Sequence, residues 1–196
     1  VVNIAKFDRQ DVLEKATVLF WKKGFRATST RDLQQAMNMR PGSMYAAFGG
    51  KSDIYRLVLE QYALSMSRLL EQSLEATDTI PDGIRHFIKR VLLHPDSSEV
   101  RDVCLLYRTV SELDDDQAEL LELARTRLKN KEARFAVLIE EAKTLGQLPG
   151  SLDASAAAAD LQCRMLGIRS YLRITCDLAT IETMIDGLLC FPEESS

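Results

Sequence analysis

With 196 residues, 46% of them hydrophobic and 28% charged, and a formal net charge of −4, the chain has the make-up of one globular domain, or of one domain with a small appendage. Its 9 glycines and 5 prolines are too few for a turn-dense all-β sandwich, no apolar run approaches the ~20 residues of a membrane span, and no secretory leader opens the sequence. Cys104, Cys163, Cys176 and Cys190 form no CxxC pair and, with His86 and His94, no zinc-ligand spacing. Reduced thiols in a cytoplasmic protein without metal or cofactor are therefore expected.

Asp8 is placed to cap a first helix, in which Val12, Leu13, Ala16, Leu19 and Phe20 recur on one face. Lys22 and Lys23 followed by Gly24 suit its C-terminus, where cations meet the negative dipole end and glycine turns left-handed. Ser29 with Asp32 makes a capping box for a short second helix that buries Leu33, Ala36 and Met37, and Asn38 just past it tolerates left-handed backbone. Pro41 fits the first position of a third helix, with Met44 and Phe48 on one apolar face and Ser43, Tyr45 and Ala46 pointing elsewhere, ended by Gly49 and Gly50. Two short helices joined by a tight turn, on a longer first one, form a helix-turn-helix unit. The third helix is too short to stand alone and must be held by the other two.

Ser52 as N-cap opens a long fourth helix to about Glu75, and Thr79-Ile80-Pro81-Asp82 opens a fifth that ends near His94-Pro95. A mostly apolar sixth spans about Val103 to Leu113, and Asp114, Asp115 and Asp116 favour the start of a seventh. That helix carries Leu121, Ala124, Leu128, Phe135, Leu138, Ala142 and Leu145, interrupted by Lys131 and stopped by Gly146 and Pro149. Asp153 starts an eighth with Leu161, Met165, Ile168 and Leu172 in a heptad-like seam, and Ile181, Met184, Ile185, Leu188 and Leu189 repeat the pattern in a ninth. No strand or internal repeat is found. The expected fold is all-α, about nine helices, with a three-helix head in residues 1–52 and a helical body in residues 53–196.

Charge divides the chain in the same sense. Residues 1–56 hold ten bases against five acids, a net +5, and the remainder 15 against 24, a net −9. A small basic head on an acidic body suits a nucleic-acid binder in which only the head touches phosphate, although a soluble protein also reaches such a split by chance.

The residues FDRQDVLEKATVLFWKKGFRATSTRDL and PGSMYAAFGGKSDIY carry a resemblance to the DNA-binding head of the tetracycline-repressor (TetR) family of bacterial transcriptional regulators. The aromatic-x-x-Gly-aromatic ending of its first helix matches Phe20, Trp21, Gly24 and Phe25, and its Thr-Ser start of helix two matches Thr28 and Ser29. The Gly-Ser/Thr-x-Tyr-x-x-Phe-x-x-Lys pattern matches Gly42, Ser43, Tyr45, Phe48 and Lys51. The match spans about a quarter of the chain, and its order makes it specific. Thr28, Ser29 and the backbone N–H groups of helix two then form a phosphate clamp, and the resemblance sets Tyr45 and Lys51 against the DNA backbone. Arg40, Pro41, Gly42, Ser43 and Ala46 are the candidates for base edges, with Arg40 suited to guanine or to a phosphate, and Pro41 and Ala46 to thymine methyls. Core packing is the alternative for Tyr45. The family commonly has glycine where Asn38 stands and a large polar residue where Ala47 stands. The loss of that backbone contact shifts weight to Lys51, Tyr45, Lys6 and Arg9.

The resemblance also implies a body that senses a small-molecule effector and pairs with a second copy, so the expected partners are a double-stranded DNA operator, the chain itself and an effector, with no membrane. The interface candidates are Leu161, Met165, Ile168, Leu172, Ile181, Met184, Ile185 and Leu188, which serve equally as internal core. A two-fold dimer would read a palindrome with half-sites about one DNA turn, ~34 Å, apart. Effector-lining candidates are Tyr62, Met66, Phe87, Cys104, Tyr107, Arg108, Phe135 and Cys163, with ordinary core packing as the alternative for each. Arg108 inside an apolar helix requires either an internal carboxylate, with Glu112 four residues on, or an anionic effector. VCLLYRTVSELDDD resembles a body motif of one family branch, with Val103 and Arg108 in place of its Gly and Asn; Cys104 is a sensing thiol there or an inert buried one. No phosphate loop, nucleophile elbow or paired metal ligands speak for an enzyme, which leaves a helical adaptor without DNA binding as the alternative to a repressor released from its operator by an effector.

Overall fold

The computed structural model describes residues 9–93 and 104–190, which places Lys6, Asp8, the helix end at His94-Pro95 and Val103 outside the described residues. Among these residues nine α-helices and one 3-10 turn account for the regular structure: α1 (Arg9–Ala27), α2 (Thr30–Ala36), α3 (Pro41–Phe48), α4 (Lys51–Glu75), α5 (Ile80–Leu92), α6 (Leu105–Glu112), a 3-10 turn (Asp115–Gln117), α7 (Ala118–Thr144), α8 (Ala154–Thr175) and α9 (Leu178–Asp186). No described helix is long and apolar enough to cross a membrane.

The chain packs as two compact units. Among the described residues, the first holds 9–64 and 104–127, and the second holds 65–93 and 128–190. α6, assigned to the body on sequence, therefore packs with the three-helix head, and both α4 and α7 contribute to each unit.

In the first unit Phe20 of α1, Phe25 and Tyr55 of α4 form an aromatic centre, with Tyr55's ring centroid 4.6 Å from Phe20's and 4.9 Å from Phe25's. Tyr55 is fully buried and its hydroxyl lies 2.8 Å from Thr109 Oγ1 on α6. Thr109's single proton goes to the Leu105 carbonyl, which leaves Tyr55 as the donor. Burial pushes the phenol up to about 12.

The starts of α2, α5 and α8 follow the side-chain chemistry read from the sequence, and α9 begins in the same way. Ser29 caps α2 in a reciprocal capping box with Asp32, Thr79 accepts the Asp82 N–H at the start of α5, and Asp153 and Asp177 accept two backbone N–H groups each at α8 and α9. α4 differs: it begins at Lys51, so Ser52 lies inside its first turn, and Asp53 reaches back to accept the Gly50 N–H at 2.9 Å. Asn38 takes the left-handed conformation expected of it (φ 51°).

The second unit buries Ile84, Phe87 and Ile88 of α5 with Phe135, Leu138, Ile139 and Ala142 of α7 and Leu161, Ile181 and Ile185 of α8 and α9. Arg134 grips Glu71 with two hydrogen bonds of 3.1 Å, tying α7 to α4 on the surface. Leu145 is exposed, because it follows the last residue of α7 and the helical repeat no longer aims it inward.

Candidate nucleic-acid interface

The third helix has the two-sided character a reader of DNA needs. Met44 and Phe48 are buried against the first unit, whereas Arg40, Pro41, Gly42, Ser43, Tyr45 and Ala46 are all exposed. Tyr45 is 49% accessible, so it is no core residue. Arg40 is the N-cap of α3 with no hydrogen bond from its side chain to the cap, and a Cβ at Gly42 would meet no atom within 4 Å. The helix thus offers one long cation, one phenol and otherwise short side chains near its N-terminal end. Short groups let the helix backbone come close to a groove floor, where base edges carry the sequence information.

The start of α2 corrects one expected contact. Thr28 is 1% exposed and its hydroxyl donates to the Gly24 carbonyl at 2.6 Å, so that buried side chain closes the end of α1. Ser29 is exposed, but its Oγ accepts the Asp32 N–H and donates to the Asp32 carboxylate. Asp32 also takes Lys23 Nζ at 2.8 Å, and chiefly Lys23, then Ser29, holds its carboxyl well below the usual carboxylate range. Lys23 offsets a negative charge that would otherwise repel phosphate at this helix end.

Lys51 stands 4.3 Å from the centre of the Phe25 ring, and partial burial lowers the pKa of its ammonium while the nearby Glu112 charge acts in the opposite direction. Arg9 donates from Nη1 to the Ala47 carbonyl at 3.1 Å and lies over the Phe48 ring.

A second group of polar contacts ties the corner between α1 and α2 to α6. Gly24 has φ 81°, outside the helical region, and a Cβ there would lie 2.5 Å from Glu112 Oε2. The Glu112 carboxylate fills that place and accepts the N–H of Phe25 (3.2 Å) and of Arg26 (2.7 Å). Arg26 also donates to the Glu112 carbonyl, Asp114 and Asp116. Arg108 donates to the Trp21 carbonyl and, over 3.5 Å, to Glu112. Of the two partners open to Arg108 on sequence, the internal carboxylate is the one found, and an anionic effector is not needed to account for it. Sequence reasoning reached Glu112 as Arg108's neighbour but missed its backbone contacts, since nothing in helical spacing brings residue 112 to residue 24.

The remaining effector candidates divide between the units. In the first, Tyr62 and Cys104 are buried, with the Tyr62 hydroxyl 3.5 Å from Cys104 Sγ, and Tyr107 is half-buried. In the second, Phe87 and Phe135 are buried with ring centroids 6.3 Å apart, and Met66 is half-buried. Cys163 is exposed and lines no interior, because it follows the inward-facing Leu161 and Gln162 around the α8 circumference.

Of the two uses open to the seam residues, the chain's own core accounts for most of them. Leu161, Met165, Ile168, Ile181, Ile185 and Leu188 are buried in the second unit's own core, and Leu172 is half-buried. Met184 is 40% exposed, and Tyr171, Ile174 and Leu178 are further exposed large apolar residues of α8 and α9. A groove of about 440 Å³ is lined by Arg164, Gly167, Tyr171, Thr183 and Met184, with Ile168, Gly187 and Leu188. The heptad spacing identified helices with an inward face; the outward face follows from which residues the core left over.

A short helix with a bare outer face, held on two others through buried Met44 and Phe48, defines a helix-turn-helix DNA-binding protein. Residues 12–58 match the family model described as bacterial regulatory proteins, tetR family, and residues 81–188 match the tetracyclin repressor-like C-terminal domain. The chain belongs to the TetR family, and it is a DNA-binding transcriptional regulator. It is 24% identical over 163 residues to the HTH-type transcriptional repressor ComR of Escherichia coli, covering 83% of this chain and 78% of ComR. It is also 24% identical over 182 residues to the HTH-type transcriptional regulator YezE of Bacillus subtilis, covering 92% and 94%. Among solved structures, a cysteine mutant of the TetR-family regulator CifR complexed with 26-bp operator DNA is similar in fold (TM-score 0.83, 21% identity, 95% of this chain and 98% of that one). A TetR-family regulator from Cytophaga hutchinsonii has a TM-score of 0.79 at 21% identity, covering 94% and 96%.

Proposed function

We propose that the chain acts in the cytoplasm as a homodimeric repressor that holds a palindromic operator and is released from it by a small-molecule effector, with residues 1–52 as the reading head and 53–196 as the regulatory body. The observation that carries this reading is the outer face of α3. Arg40, Ser43, Tyr45 and Ala46 stand exposed while Met44 and Phe48 anchor the helix. An adaptor that had lost DNA binding would have no use for that arrangement.

Pairing is supported by what α8 and α9 leave outside. Ile174 is 79% exposed, and Tyr171, Leu178 and Met184 add apolar surface. Gly167 sits within α8 on the wall of the same groove. Glycine inside a helix costs about 1 kcal/mol relative to alanine, and close approach by a second helix gives it a use. One eight-residue reading helix touches few base pairs, so two copies are needed to single out a site in a genome. Repression is supported by the relative named a transcriptional repressor. An effector shifts DNA affinity only by binding the two conformations of the dimer unequally; Met66, Phe87 and Phe135 in the second unit are the residues we assign to its pocket.

Gel shift against the DNA upstream of the chain's own coding sequence, with light scattering on the same sample, tests the reading. A retarded band that competitor DNA of unrelated sequence does not remove, from a protein of twice the 22.1 kDa chain mass, is expected. A monomer, or binding indifferent to sequence, overturns it.

A further inference from the structure

We propose that Arg9 is a positioning residue for DNA reading: it fixes the seat of the recognition helix from its C-terminal end. The residue lies at the first turn of α1, 38 positions before its partner in sequence, yet its Nη1 donates to the Ala47 carbonyl at 3.1 Å. Its guanidinium carbon lies 4.7 Å from the centre of the Phe48 ring. One cation therefore engages two consecutive residues of the last turn of α3, one through a backbone acceptor and one through a ring face.

The physical need is plain from α3 itself. The helix has eight residues and no basic residue in its last turn. The last carbonyls of a helix lack intrahelical donors and form its negative pole, and so short a helix has little stability of its own. Arg9 supplies both the missing donor and the missing positive charge. Phe48 is buried, so the ring beneath the guanidinium is fixed, and the contact transmits the placement of α1 to α3. Tyr45 and Ala46, which face outward, lie within one turn of the gripped carbonyl. A tilt of α3 about its N-terminal end displaces them most.

The contact depends on shape as well as charge. A guanidinium lies flat on a ring and donates sideways at the same time, whereas an ammonium does not do both with one geometry. This separates positioning from a simple phosphate contact, for which lysine suffices. The inference rests on α3 as the reading helix.

The test uses the full chain and Arg9→Lys and Arg9→Ala variants, with a duplex enriched from a randomised pool by the unaltered chain and a scrambled duplex of equal length. Arg9→Lys is expected to lower the ratio of enriched to scrambled affinity roughly fivefold, with the salt dependence of binding and the melting midpoint unchanged. Arg9→Ala is expected to lower the ratio at least as far. The proposal is overturned if Arg9→Lys restores the full ratio, if both variants weaken the two duplexes equally with a salt slope smaller by ~1, or if Arg9→Lys lowers the melting midpoint together with all binding. Failure of the unaltered chain to enrich any sequence would instead overturn α3 as reader, and Arg9's role with it.

Discussion

Removing the Glu112 carboxylate measures how firmly α6 holds the corner between α1 and α2. In Glu112→Ala the Phe25 and Arg26 N–H groups, at 3.2 and 2.7 Å, lose a charged acceptor. Hydrogen bonds to charged groups contribute ~1.5–3 kcal/mol each, and since Arg26 is exposed and its N–H regains water, about 3 kcal/mol for the pair is expected. Gly24→Ala attacks the same place from the other side. Its φ of 81° costs an L-residue about 1–2 kcal/mol, and the new Cβ, 2.5 Å from Glu112 Oε2, displaces the carboxylate from its donors. The single variant should then lose about 4–5 kcal/mol, but in the Glu112→Ala background only the backbone term of about 1–2 kcal/mol remains. Urea denaturation followed by Trp21 fluorescence suits the measurement, because Trp21 is the one tryptophan of the sequence and its ring lies 5.3 Å from Tyr62 within the first unit. The double-mutant cycle should show a coupling of about 3 kcal/mol. Additivity within ~0.5 kcal/mol, or a Glu112→Ala cost below ~1 kcal/mol, would refute the assignment of Gly24 as the seat of this carboxylate.

Arg40→Ala should relax preference at one base position per half-site by about 1–3 kcal/mol if Arg40 reads guanine, and a binding-site selection with an unchanged base profile would retire it as a reader. Lys51→Ala is expected to weaken all DNA sequences alike and to reduce the salt slope by ~1 in a filter-binding series; a change confined to the operator would contradict that role. Tyr171→Asp with Ile174→Asp should yield monomers by light scattering and abolish operator retention, whereas dimers that persist would move the interface elsewhere. Asp32 has a folded-state pKa below the unfolded value of about 4, so its stabilising contribution is complete above that pH and is withdrawn as pH falls through the folded value. Acid unfolding of Asp32→Asn, followed by Trp21 fluorescence, should accordingly depend less steeply on pH than that of the unaltered chain, and identical profiles would exclude a role for the Lys23–Asp32–Ser29 cluster.

The geometry assigns separate work to the two ends of the reading helix. Its N-terminal half presents Arg40, Gly42 and Ser43 with no partner built over Gly42, which leaves room for a groove. Its inner face is fastened by Met44 and Phe48 in the core, and its C-terminal end by Arg9 at the Ala47 carbonyl. A reader needs both properties, since base contacts discriminate only when the scaffold fixes their distance and angle.

Local chemistry wrote much of this fold into the sequence. Capping by Ser29, Thr79 and Asp153 depends on atoms within three residues, so these helix starts were legible without any knowledge of the fold. The same holds for Pro41 at the start of α3, Asn38 in the left-handed turn, and Met44 and Phe48 as its inward face. Periodicity also found Leu161, Met165, Ile181 and Ile185, but a seam of apolar residues says only that a face is covered, and tertiary packing decided that their own unit covers it. Packing likewise turned Thr28 inward, brought Glu112 to residues 24–26 and laid Arg9 on Phe48. The Thr28 bond is local, four residues back, but its burial is set by packing; the other two contacts join residues 86 or more and 39 positions apart, beyond the one or two turns over which helix and turn rules act, and only the meeting of whole helices brings such residues into register.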